Sequence, residues 1–132
     1  MEIKFKAWDE ARNEMLDHGQ FRFKYTYDGG ISLHRKNELG IEIPIKNGRK
    51  NLRQFTGIVD KTGKEIYNGD ILKVDDSEII DKWMRGETGE VKFIPSRFTL
   101  CLKNGDKKML TSDFEDCVTI IGNIYQNPEL NK

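Results

Sequence analysis

The sequence is poor in the residues that build metal sites, cross-links or membrane spans. It has two cysteines, Cys101 and Cys117, two histidines, His18 and His34, and three prolines. The histidines lie in different segments and the cysteines lack Cys-x-x-Cys spacing, which argues against a structural zinc site. No metal and no cofactor are expected. In a reducing compartment the two cysteines read as buried free thiols, not as a disulfide. Net charge is also missing: 22 basic side chains balance 22 acidic ones. That balance gives no general pull toward nucleic acid or membrane, and it removes the repulsion that would keep copies apart. No run is long and apolar enough to cross a bilayer. The opening Met1-Glu2-Ile3-Lys4-Phe5-Lys6 alternates apolar and charged residues and lacks the apolar middle of a signal peptide. The expectation is a cytoplasmic protein without membrane contact.

Catalytic signatures are missing as well. There is no Gly-x-x-x-x-Gly-Lys-Ser/Thr phosphate loop and no Gly-x-Gly-x-x-Gly. Asp60 to Glu65 superficially resembles a calcium loop, but its glycine comes too early and the distal glutamate is missing, so a hairpin turn is expected. The acidic pair Asp75-Asp76 and the group Asp113, Glu115 and Asp116 read as solvent-facing acids at strand ends. No residue is nominated as catalytic, and a non-enzyme is expected.

What is present is a lean but patterned set of apolar residues, 36% of the chain against 33% charged, consistent with a modest core. Ile3, Phe5 and Ala7 alternate with polar neighbours as in a half-buried strand. Asp9 to Gly19 admits either a short helix or a turn with a short strand. Phe21, Phe23, Tyr25 and Tyr27 share one face opposite Arg22, Lys24 and Thr26, and Asp28-Gly29-Gly30 signals a hairpin returning through Ile31 and Leu33. This aromatic stripe is read as core or subunit contact, with a base-stacking platform as the alternative. Ile41, Ile43 and Ile45 alternate again, and Pro44 points to an edge strand. Lys46, Arg49, Lys50 and Arg53 form the best candidate for phosphate contact, against the plainer reading of a solvated basic loop.

Arg53 to Val74 organises the chain, with strand-like runs on either side of Asp60-Lys61-Thr62-Gly63 and a break at Asn68-Gly69-Asp70, like the start of a small β-barrel. Asp75 to Gly89 is ambiguous. Ile79, Ile80, Trp83 and Met84 have helical spacing, which predicts a short amphipathic helix with a partner surface on Trp83 and Met84. A long loop is the alternative. Glu90 to Ile94 and Phe98 to Leu102 read as strands, and Asn104-Gly105 predicts a type I′ hairpin. Ser112-Asp113-Phe114-Glu115 has capping-box form. Val118 to Tyr125 is a last strand with a bulge or close contact at Gly122. Asn127-Pro128-Glu129-Leu130 opens a final helical turn.

Three segments resemble the YopX family of phage and prophage proteins: Ile3 to Asp9, Gln54 to Ile71, and Ile120 to Leu130. The resemblance spans almost the whole chain, apart from Ile31 to Leu52 and Asp75 to Gly89. It implies an SH3-like barrel in the C-terminal part, carriage by phages of Gram-positive hosts, and no established activity or catalytic residues. The expected architecture is therefore mainly β: an N-terminal β-hairpin region, residues 1–52, and a C-terminal SH3-like barrel, residues 53–132, with one or two short helices, as two regions or one compact unit. The expected function is that of an accessory protein in the bacterial host's cytoplasm. It would act by contact with a host or phage protein and by forming homo-oligomers. The alternative is a nucleic-acid-binding module using the basic loop.

Overall fold

The computed structural model describes residues 2–94 and 96–131. It is mainly β, with twelve short strands, two 3-10 turns and no long helix among the described residues. The chain divides into two compact units, Ile3–Gln54 and Phe55 onward. The division falls inside one strand, Leu52–Val59.

In the first unit, β1 (Phe5–Asp9) pairs antiparallel with β2 (Glu14–Leu16) and with the opening residues of β6 (Leu52–Val59). The segment Asp9 to Gly19 is thus a turn and a short strand. A separate three-stranded sheet runs in the order β3 (Arg22–Tyr25), β4 (Ile31–Lys36), β5 (Glu42–Pro44). Pro44 does lie on an edge strand, where its missing N–H costs no ladder bond. The unit's core is small: Ala7, Leu16, Leu33 and Ile45, with Phe21 and Leu52 packed against it.

The second unit is built on a curled five-stranded antiparallel sheet in the order β11 (Lys107–Met109), β10 (Phe98–Leu102), β9 (Thr88–Phe93), β8 (Asp70–Val74), β12 (Val118–Asn123). The end of β6 pairs with β7 (Glu65–Tyr67). Ile66, Leu72, Val74, Val91, Leu100 and Val118 are essentially inaccessible and form the centre of the core. Tyr67 and Ile71 are also buried, at 3% and 1% exposure.

One turn design closes four hairpins: Thr26–Gly29, Asn37–Gly40, Asp60–Gly63 and Leu102–Gly105. In each, the glycine N–H donates to the carbonyl of the first residue, whose own N–H donates to the carbonyl just past the glycine. Each glycine has φ between 77° and 97°, a region that side chains disfavour. This corrects the type I′ expectation at Asn104-Gly105. Asn104 keeps negative φ, so the turn is a three-residue loop ending in a glycine bulge. β6 carries a larger irregularity, where Phe55 faces Tyr67 but Val59 faces Glu65. The Thr56 hydroxyl bridges it, donating to the Ile66 carbonyl at 2.8 Å and accepting the Ile58 N–H at 3.2 Å.

The region 75–87 forms no helix. Ile80, Met84 and Glu87 close three separate turns onto Ser77, Asp81 and Met84. The Arg85 guanidinium donates to the carbonyls of Ile80 (2.7 Å) and Glu78 (2.8 Å). Side-chain donors thus take acceptors that helical amides would have used. The predicted capping box also does not form. The 3-10 turn Ser112–Asp116 has no side-chain cap bond, and Glu115 instead accepts the Val59 N–H at 3.0 Å. At the end of the chain, Asn127 and the turn Pro128–Asn131 fold back over Gly122 in β12, where a Cβ would lie 2.6 Å from Asn127 Oδ1 and 2.8 Å from Leu130 Cδ1. Gly122 is both bulge and close contact.

Candidate interaction surface

The β3–β4 hairpin sorts its side chains by strand alternation. Phe23 stands opposite Leu33 and Tyr25 opposite Ile31, while Arg22 stands opposite His34 and Lys24 opposite Ser32. Only the base of the aromatic stripe is packed. Phe21 joins the unit core, and its ring meets that of Phe23 edge-on at 5.9 Å. Phe23 also meets Phe5 edge-on at 5.7 Å. Beyond that point the stripe is uncovered: Phe23 is 46% exposed, Tyr25 89% and Tyr27 fully exposed at the turn. The outer half of the stripe, on and beyond the edge strand β3, is therefore not a core element. On the opposite side Glu42 gathers Arg22, Lys24 and His34. Hydrogen bonding and charge from Lys24, then Arg22 and His34, outweigh desolvation and hold the Glu42 carboxyl below its ordinary range.

The basic loop is less free than its composition suggests. Arg53 is separated from it, 2% exposed on β6 with Nη1 3.7 Å from Met15 Sδ. Lys50 and Arg49 are exposed and Lys46 lies beside Glu10. The side-chain amides of Asn51 and Asn47 donate to Glu10, and together with Lys46 and Lys50 they lower its pKa. Arg49 lies against Gly30 and near Asp28, whose carboxyl is lowered chiefly by Thr26 and the Gly30 N–H.

In the second unit, Met84 is buried in the core and Trp83 is 39% exposed, so the two do not form one exposed patch. Met84 instead floors a cleft of about 350 Å³ together with Ile80, Phe114 and Cys117, with Asp81, Asp113, Asp116 and Lys108 around it. Ile79, at its edge, is 94% exposed. Cys117 is half-buried and free, as is Cys101, where full burial was expected. Burial, then Asp75, Asp116 and Asp113, raise the Cys117 thiol pKa.

Other polar clusters hold backbone. Asp60, 2% exposed, accepts from the Thr62 N–H, Thr62 hydroxyl and Lys64 N–H through Oδ1 and from the Ile120 N–H through Oδ2. Burial opposes its charge, but these bonds outweigh it and lower its pKa. Asp75 pairs with Lys61 at 3.0 Å. Arg35 pairs with the buried Asp9 at 3.1 Å and with the half-exposed Glu14 at 2.9 Å, a cluster that no motif announced. Among the described residues no group of three or more His, Cys, Asp or Glu could hold a metal ion. No helix among them is long and apolar enough to cross a membrane.

Zero net charge conceals a division. Residues 3–54 carry eleven Lys and Arg against seven Asp and Glu, a net +4. The rest of the chain carries eleven against fifteen, a net −4. Counting the two parts separately would have revealed it.

These features define a small antiparallel β-protein whose best-formed polar networks are structural and whose most exposed aromatic side chains, Tyr25 and Tyr27, lie together at the end of one hairpin. The chain belongs to the YopX family: the family described as YopX protein matches residues 4–132. It is similar to protein EF1440 from Enterococcus faecalis, at 28% identity and a TM-score of 0.62, covering 100% of this chain and 99% of that one. It shares its fold with protein YopX from Bacillus subtilis, at 24% identity and a TM-score of 0.67, covering 100% and 98%. No curated protein matches the chain significantly.

Proposed function

We propose that this is a non-enzymatic accessory protein, carried by a phage or prophage, that works in the bacterial cytoplasm through protein–protein contact and self-association. The observation that carries the reading is the uncovered aromatic end of the β3–β4 hairpin, with Phe23, Tyr25 and Tyr27 all open to solvent. Clustered exposed aromatic residues are typical of contact surfaces, because their burial supplies much of the energy of association. The engagement of Asp60, Glu115 and Arg35 in backbone support and structural ion pairing is consistent with this reading, since each of those groups already serves the fold. Light scattering after size exclusion tests it. A mass above 15.4 kDa that falls on Phe23→Ser with Tyr25→Ser supports the reading, and an unchanged mass opposes it.

A second reading, nucleic-acid binding, draws on the +4 charge of residues 3–54 and on Lys46, Arg49 and Lys50. Phosphate contacts would make affinity fall steeply with salt. Absorbance at nucleic-acid wavelengths in the same experiment distinguishes the two.

A further inference from the structure

The inference here rests on the self-association proposed above and names the surfaces that meet. We propose that the Tyr25–Tyr27 end of the β3–β4 hairpin of one copy docks into the Ile80–Met84–Phe114–Cys117 cleft of a second copy.

Three observations converge on this pairing. The hairpin end offers the two most exposed aromatic side chains in the described chain, Tyr25 and Tyr27, and the cleft offers an apolar floor with room for a large aromatic ring. Tyrosine suits such a site, with its ring against Ile80, Met84 and Phe114 and its hydroxyl donating to a rim carboxylate. The charges are also complementary. The hairpin belongs to the part of the chain with net +4; Arg49 lies beside the tip acid Asp28, and Arg22 and Lys24 share the single carboxylate of Glu42 on the other face, which leaves cations in excess there. The cleft belongs to the part with net −4, and Asp81, Asp113 and Asp116 outnumber Lys108 around it. Finally, the hairpin is a poor match for itself. Two β3 strands paired edge to edge and antiparallel about Phe23 would set Arg22 of one copy opposite Lys24 of the other, a like-charge pair. A surface that repels itself and complements another surface of the same chain favours a head-to-tail contact. Such a contact leaves a free hairpin at one end and a free cleft at the other, so it grows into a ring or an open chain.

The test is complementation between two variants, each altered only at exposed positions. The hairpin variant is Tyr25→Ser with Tyr27→Ser. The cleft variant is Asp113→Lys with Asp116→Lys. Each alone is expected to be monomeric, with association weakened at least about 30-fold, as for loss of a contact hot spot. An equimolar mixture restores one intact junction and should give a 1:1 dimer that dissociates as salt rises. In a Cys101→Ser background, adding the cleft variant should slow maleimide labelling of Cys117 on the hairpin variant. A mixture that stays monomeric while the unaltered protein associates overturns this pairing and leaves self-association standing. An unaltered protein that is monomeric at every concentration overturns both.

Discussion

Replacing Asp60 with asparagine is expected to destabilise the second unit by about 2–3 kcal/mol at pH 7. The native carboxylate accepts four hydrogen bonds, three within its own turn at 2.7–3.0 Å and one from the Ile120 N–H of β12 at 3.0 Å. An asparagine can keep its oxygen toward the turn, but its amide hydrogens then face the Ile120 N–H. The loss is one hydrogen bond to a charged acceptor, worth about 1.5–3 kcal/mol, plus weakening of the other three. For a chain of this size the midpoint of thermal unfolding should fall by about 8 °C. Asp60→Ala, which removes every acceptor, should cost more. Urea denaturation followed by circular dichroism measures the difference. The pH dependence supplies a second check. Because the folded pKa of Asp60 is lowered, its stabilisation is complete above the unfolded aspartate pKa, about 3.9, and is lost as pH falls through the folded value. The gap between wild type and Asp60→Asn should therefore narrow below about pH 4. Equal urea midpoints at pH 7, or a gap unchanged down to pH 3, would refute the argument.

Other perturbations address different parts of the fold. Gly89→Ala should cost about 3 kcal/mol in the same urea assay, because its Cβ would stand 2.4 Å from the Cys101 carbonyl oxygen and 2.9 Å from Leu102 Cα, and the backbone of a paired strand cannot step aside. Gly122→Ala should cost less, since its nearest obstacles are side-chain ends on Asn127 and Leu130. Arg35→Ala should destabilise the first unit by about 3–5 kcal/mol by leaving the buried Asp9 carboxylate without its cation. Hydrogen exchange at β1 and β4 amides should report that loss. Lys50→Glu should leave the solution mass unchanged if protein contact, and not phosphate contact, is the function.

What the sequence disclosed depended on how local the physics was. The hairpins at Asp28-Gly29, Asp60–Gly63 and Asn104-Gly105 were legible because turn preference resides in the turn residues themselves. The same turn at Asn37–Gly40 carries no such signature, since its two central residues are Glu38 and Leu39, and the loop type at Asn104 was misjudged because Asn-Gly serves both a two-residue turn and the end of a three-residue one. Helical spacing misled at Ile79 to Met84. Met84 enters the core, Ile79 faces solvent, and Arg85 satisfies the carbonyls. Asp60 was readable as a turn residue, but its reach to Ile120, sixty positions away, is a property of the sheet. Of the candidate site, the aromatic alternation was visible, and its exposure was not, because exposure depends on what fails to cover it. Arg53 seemed part of a basic loop until β6 placed it on an inward face beside Met15.

The most direct test of the account is sedimentation of the unaltered protein over a wide concentration range at low and high salt, with absorbance at both protein and nucleic-acid wavelengths. The account predicts species heavier than 15.4 kDa that grow with concentration, shrink with salt and carry no nucleic acid. A single 15.4 kDa species at every concentration, or one that binds nucleic acid until salt strips it away, would contradict it.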